Sequence, residues 1–377
     1  MSTKFDTSLA DSQASAVRPV SVKKFDFEAY SEYAGQLDEQ CMAFWKADSG
    51  VLVYRRMRVA ECFSYGCRDM KNSLELQLGA LQASMQYKAD VPNFLEPWYG
   101  IGTVASAFGE DYIWHPGAAP AIKPTFSSLP EILDHNPLPV EKTSIGSHTL
   151  EMIAYFMEQT KGRLPISLTD TQSPLNIIGN IYPIDNFLMD MLIIPDKAGE
   201  VLKILADLII DFNKLQRKLI GDALVYPGHG FSASRAWQGL GMSDDNAIMV
   251  SPEDYLKTAV PSAKRVADEF GGLAFHSCGN WEQWIEAVLN INGLLMADGA
   301  FSAETDPDAN SDLESFHKFA HTGIILNARM VGSPKVIEEQ VRKLWVPGMK
   351  LIVVTYCKTP EEQDQAYRLI HEIADSK

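Results

Sequence analysis

Leu273-Ala-Phe-His-Ser-Cys-Gly-Asn280 is an apolar run that ends in a glycine turn and carries a histidine and a cysteine two positions apart. Side chains at i and i+2 of a strand point to the same face, so His276 and Cys278 can grip one atom together. Asn280-Trp-Glu-Gln283 then reads as a helix N-cap with a capping-box glutamine at its third position. The order recurs near the C-terminus, where Leu351-Ile-Val-Val-Thr-Tyr-Cys357 is a β-rich run. Thr359-Pro360-Glu361-Glu362 follows it as cap, first-turn proline and capping-box acid. Strand, ligand-type side chain and helix start thus occur together twice. In a parallel α/β fold both places open on the C-terminal face of the sheet, where catalytic groups gather.

From Val51 onward strand-like runs alternate with helical patterns, as in parallel α/β architecture. The strand candidates are 51–59, 91–98, 164–170, 223–226, 247–250, 273–277, 293–298, 323–328 and 351–356. Eight or nine strands with intervening helices fit a (β/α)8 barrel better than an open sheet. The glycine turns of a dinucleotide fold and of a P-loop are absent. Residues 1–50 read as an N-terminal arm and extension, and 51–377 as a single barrel domain with a lid or insertion at 112–163. A helix follows Asp196, and Ser251-Pro252 and Ser333-Pro334 are further helix starts. Pro261 should kink or split the helix in which it falls.

The formal charge of −16 over 377 residues disfavours nucleic acid and an anionic membrane surface as partners. Five scattered cysteines argue against a disulfide framework and for a reducing compartment. No run is apolar and long enough to span a bilayer, and the polar N-terminus lacks the core of a secretory signal. The expected location is the cytoplasm. The sequence leaves the oligomeric state open, a homo-oligomer included.

Two thiolates and one imidazole, His276, Cys278 and Cys357, suit zinc, and a catalytic zinc keeps an open fourth position. With 78 residues between Cys278 and Cys357, the set belongs to separate strands rather than to a zinc finger. The bland alternative is a core histidine and two unrelated buried cysteines. Asp298 and Glu304, at the end of the next strand, are carboxylates that could fill the fourth position, and a surface or capping role is the alternative for each. Asp170 and Gln172 sit at another strand end and either line the pocket or form an ordinary turn. His229, in Tyr226-Pro-Gly-His-Gly-Phe231, lies in a glycine-rich loop suited to approach a flat ligand. Trp98, Tyr99 and Trp114 are either cleft or core aromatics. Cys41, Cys62 and Cys67 have no ligand-like context.

With these features the chain resembles the uroporphyrinogen decarboxylase superfamily, and within it the zinc-dependent cobamide:coenzyme M methyltransferase branch. His276-Ser-Cys278-Gly279 with Cys357 matches the H-x-C-G…C zinc pattern of that branch. Asp90-Val-Pro-Asn-Phe-Leu-Glu-Pro97, Ala105-Ser-Ala-Phe-Gly109, Asp170-Thr-Gln172-Ser-Pro174 and Asp244-Asp245 leading into Ser251-Pro252-Glu253 are similar stretches in the same order. The arginine-rich M-R-Q-A-G-R segment of true decarboxylases is missing, and Met57-Arg-Val-Ala-Glu-Cys62 stands in its place.

The resemblance implies the decarboxylase fold without the decarboxylase reaction. It implies zinc held by His276, Cys278 and Cys357, with an acid near Glu304 in the fourth position. A methyl group would move between a corrinoid, carried on a partner corrinoid protein, and a small-molecule acceptor such as coenzyme M, another thiol or tetrahydrofolate. Asp170, Gln172, His229, Trp237, Asp244 and Asp245 would then border the substrate cleft. The competing readings are a tetrapyrrole decarboxylase, which needs no metal, and a non-catalytic corrinoid-binding protein on the same barrel.

Overall fold

Aliphatic and β-branched runs, which suit a pleated buried surface, form β1 (Gly50–Arg55), β3 (Leu273–His276), β4 (Leu294–Ala300), β5 (Ile325–Met330) and β6 (Lys350–Thr355). The shorter β2 (Leu240–Ser243) joins them. The six strands are parallel and lie in the order β1-β6-β5-β4-β3-β2. The computed structural model describes residues 13, 15–97, 100–114, 120–228 and 230–376.

Three further segments carry the hydrogen bonding from β2 round to β1. Asp90 N donates to Val53 O, Leu95 bridges Ile166, Ile166 bridges Leu224, and Gly241 N donates to Pro227 O. The sheet is thereby closed into a ring. The expected strands at 91–98, 164–170 and 223–226 therefore exist only as single bridges. The one expected at 247–250 is a 3-10 turn, Ala247–Met249, and its place in the ring belongs to β2.

Parallel neighbours need crossover connections, supplied here by helices. α1 (Phe27–Lys46) precedes the ring, α2 (Pro195–Ile220), α3 (Val260–Phe270) and α4 (Pro334–Leu344) are among these crossovers, and α5 (Pro360–Ser376) follows the last strand. Ser333 and Thr359 cap α4 and α5 as expected, each accepting a first-turn backbone N–H. Asn280 accepts from Glu282 N at 3.0 Å, yet the chain makes a 3-10 turn, Glu282–Trp284, before the helix Ile285–Leu289. Pro261 leaves α3 preceded by a π-helical stretch, Tyr255–Ala259, which splits the element in the way a missing N–H predicts. The segment 112–163 contains a 17-residue helix, Ser144–Thr160, with Ile145, Met152, Ile153 and Phe156 buried.

Strand alternation sorts the side chains into two cores. Leu52, Tyr54, Ala274, Met296, Ile325, Ile352, Val354 and Tyr356 fill the inside of the ring. Val51, Val53, Leu326, Ala328, Leu351 and Val353 pack outwards against the helices. The end of the ring at the strand N-termini is closed. Trp237 donates Nε1–H to Cys41 O at 3.0 Å and stacks on Trp45, with ring centroids 6.3 Å apart. Lys350 donates to Trp45 O at 2.9 Å, with its ammonium over the Trp45 and Phe44 rings. Functional side chains are thus left to the opposite mouth.

Candidate functional site

One register row crosses the sheet near that mouth. Ser243 pairs with His276, His276 with Asp298, and Asp298 with Asn327. In-register neighbours on one face lie close enough to bond, and these do. His276 Nδ1 is 2.6 Å from Asp298 Oδ2, and Asn327 Nδ2 donates to Asp298 Oδ1. Arg329, two positions along β5 from Asn327 and on its face, donates Nε–H to Asp298 Oδ2 at 3.0 Å. The carboxyl of Asp298 is thus fully buried and held by three partners from two strands.

The other imidazole nitrogen faces the opening. His276 Nε2 lies 3.5 Å from Cys278 Sγ and 3.5 Å from Asp245 Oδ1. Cys278 N donates to Asp245 Oδ1 at 2.8 Å, and Asn176 Nδ2 donates to Asp245 Oδ2 at 3.0 Å. Asn176 belongs to the helix Pro174–Ile181, whose N-cap Ser173 directly follows Gln172. One donor atom from each of Asp245, His276 and Cys278 falls in a group with all separations within 4.8 Å. His276 and Cys278 come together as their i, i+2 spacing requires.

Charge follows the hydrogen bonds. Burial opposes an imidazolium at His276, but the bonds to Asp298 and Cys278 and the Asp298 charge outweigh it and push its pKa up to about 10. Burial likewise opposes the Asp298 carboxylate, and Arg329, His276 and Asn327 overcome it and hold its pKa below the ordinary value. Asp245 is also lowered, with burial outweighed by His276, Cys278 and Asn176. Asp244 goes the other way: burial drives its pKa up to about 6, although Tyr255 donates to its Oδ2 at 2.7 Å.

A nitrogen, a sulfur and an oxygen donor in one cluster suit a borderline-soft cation such as zinc. A carboxylate on the far side of the histidine is the usual way of fixing a metal-binding imidazole. The donor set therefore fits a metal. Cys357 lies outside the group. It follows β6 at an outward-facing position and packs in the layer between sheet and helices, where burial pushes its thiol up to about 11. Tyr356 is the inward residue there. Glu304 is exposed in the turn after β4 and is also outside the group.

The remaining expected site residues are dispersed. Asp170 Oδ1 accepts Gln172 N at 2.9 Å in a tight turn in which Gln172 has a φ of 62°, and both side chains are buried. Trp237 lies at the closed end of the ring, away from the mouth, because it precedes β2 rather than following it. Trp114 packs against Tyr65 and Tyr112. Cys41 and Cys62 are buried. His229, Trp98, Tyr99 and the side chain of Cys67 lie outside the described residues. Asp245 as a partner of His276, and Asn327 and Arg329 as holders of Asp298, are legible only once the strands are in register.

Residues 42–357 match the family described as Uroporphyrinogen decarboxylase (URO-D). A search of curated proteins finds no match. Among solved structures, the chain is similar in fold to a methyltransferase from Methanosarcina mazei, at 13% identity and a TM-score of 0.62. That similarity covers 90% of this chain and 98% of the other. Among the described residues no helix is long and apolar enough to cross a membrane.

Proposed function

Because the chain belongs to the uroporphyrinogen decarboxylase family, we propose that it is a zinc-dependent methyltransferase of that family. It would move a methyl group between a corrinoid, carried on a partner corrinoid protein, and a thiol such as coenzyme M, with tetrahydrofolate as the other candidate acceptor. The observation that carries this reading is the meeting of His276 Nε2, Cys278 Sγ and Asp245 Oδ1 at the open end of the ring. The fold shared with a methyltransferase supports it.

His276 and Cys278 would hold the metal, with Cys357 as the third ligand that the family pattern supplies. Asp245, rather than Glu304, would stand in the replaceable fourth position. Bound there, zinc would supply Lewis-acid activation of the acceptor, lowering a thiol's pKa so that it reacts as thiolate. The chain's own residues do the rest. Asp298 fixes the imidazole so that Nε2 points at the opening. Asn176 and the Cys278 amide hold Asp245 beside it. Seating Cys357 asks the chain after Thr355 to turn inwards, because the strand's alternation faces that side chain outwards.

Elemental analysis of the purified protein beside a Cys278→Ala variant tests the reading. The expected result is about one zinc per chain, lost in the variant, with methyl transfer from methylcobalamin to at least one thiol in a panel. Protein that holds no zinc and takes none up on reconstitution would overturn it and leave the metal-free decarboxylase in front.

A further inference from the structure

The turn after β4 grips the segment that carries Cys278. Asp306 Oδ2 accepts the Gly279 N–H at 2.9 Å, and Asn310 Oδ1 accepts the Trp281 N–H at 2.9 Å. Glu282 Oε2 answers from the other side, accepting Ser311 N at 3.0 Å and Asp312 N at 2.9 Å. These four bonds zip residues 279–282 to residues 306–312, and the seam begins directly beside Cys278. The gripping turn is itself anchored. Ser302 O accepts Thr305 N at 2.8 Å, and the Ser302 hydroxyl accepts Val331 N at 3.0 Å, which ties it to the end of β5. Asn310 Nδ2 donates to Ala300 O at 3.0 Å, and Asp306 Oδ1 accepts Asp308 N at 3.0 Å, which fixes the carboxyl.

Two successive amides of the cysteine turn therefore face two different carboxylates, Cys278 N at Asp245 and Gly279 N at Asp306. Their duties differ. Asp245 Oδ1 also stands 3.5 Å from His276 Nε2, in the position assigned above to the replaceable ligand. An incoming acceptor that displaces it would strain its bond to the Cys278 amide. Asp306 is not a member of the donor group and has no such conflict. Gly279 has a φ of 77°, a left-handed conformation that costs glycine little, so the chain turns sharply straight after Cys278. The place of the sulfur then depends on what holds that turn.

We propose that Asp306 is a positioning residue, which through the Gly279 amide holds the Cys278 sulfur beside His276 Nε2 while Asp245 yields its place to the acceptor. A bond from an amide to a carboxylate is roughly twice as strong as one to a neutral oxygen. Groups that orient a metal ligand without touching the metal weigh heavily in its affinity. The turn after β4 thus serves the site through Asp306, while Glu304 in the same turn is exposed and outside the donor group. The inference rests on the reading above in taking Cys278 as a ligand and Asp245 as the exchangeable one.

Two measurements on the full chain test this. Backbone hydrogen exchange, read by mass spectrometry on a peptide spanning Gly279, works with or without zinc. Asp306→Ala should lose the protection of the Gly279 amide, and Asp306→Asn, which still offers an oxygen, should keep it. Zinc affinity, read by competition with a chelator, should fall about tenfold in Asp306→Ala. In Asp306→Asn it should fall only about threefold, since the bond remains without its charge assistance. That partial rescue separates a held turn from the mere loss of a negative charge near the cation. Asp306→Ser, whose hydroxyl falls short of the amide, replaces the alanine variant should that one fail to fold. Unchanged exchange at Gly279, unchanged zinc affinity in Asp306→Ala or Asp306→Ser, or an asparagine variant as weak as these overturns the proposal. A parent chain that takes up no zinc defeats the methyltransferase reading instead, and the exchange comparison then decides alone whether Asp306 holds the turn.

Discussion

His276 and Asp298 are partner positions on adjacent parallel strands, and their side chains meet at 2.6 Å through Nδ1, which leaves Nε2 to face Cys278 Sγ at 3.5 Å. The strand register thus decides which imidazole nitrogen is available to a ligand. Asp298→Asn keeps the shape but removes the charge that orients the ring. Zinc affinity should fall by about 10–100-fold, measured by competition with a chromogenic chelator. With the metal-free imidazole near pKa 10, zinc must also displace a proton at neutral pH. Loading in weak buffer should acidify the solution, and affinity should rise as pH rises towards that value.

The ligand set can be divided by two further variants. Cys357→Ala should weaken zinc binding by more than tenfold, whereas Asp245→Ala should keep about one zinc per chain and change only its exchange with added thiol. The reverse pattern, read by elemental analysis, would mean that Asp245, His276 and Cys278 are the whole set.

Asp244 makes a separate prediction about stability. Its pKa is about 6 in the folded protein and near 3.8 when unfolded, so the fold favours the protonated acid. That contribution is complete below pH 3.8 and is lost as pH rises through about 6. Asp244→Asn keeps an acceptor for Tyr255 and cannot ionise. Its stability relative to the parent should therefore improve from pH 4 to pH 8, by on the order of 3 kcal/mol at most. Urea unfolding at the two pH values checks the sign.

Trp237→Ala opens a cavity at the closed end of the ring and removes the bond to the Cys41 carbonyl. A loss of about 3–5 kcal/mol is expected, seen as a lower urea midpoint with unchanged slope. Zinc content of the folded variant should not change, since the side chain lies away from the mouth.

Local features of the site were legible before the fold was known. Two side chains at i and i+2 share a face whatever surrounds them, and His276 and Cys278 do. Cys357 is harder, because alternation divides a strand into two sets without saying which set faces inwards. Here Ile352, Val354 and Tyr356 take the interior. Asp298 is 22 residues from His276, and only the packed register brings them together. Leu240-Gly-Met-Ser243 escaped notice as a strand since it contains no β-branched or aromatic residue. Ala247–Met249 misled in the opposite sense, being apolar but too short to distinguish a strand from a turn. In the proline-rich segment 112–163 the helix Ser144–Thr160 was present in the spacing of Ile145, Met152, Ile153 and Phe156. Its neighbours on either side hid it.

The tryptophan pair that seals one end has a kinetic consequence. Among the described residues, Trp45, Trp237 and Lys350 stopper the ring at the strand N-termini, opposite the mouth. For the reaction proposed here, a small acceptor and a bulky methyl carrier would both approach through the mouth opposite that stopper. Whichever seats deeper has to arrive first and depart last. The order of loading would then be imposed by the architecture alone, with the acceptor settled before the carrier covers it.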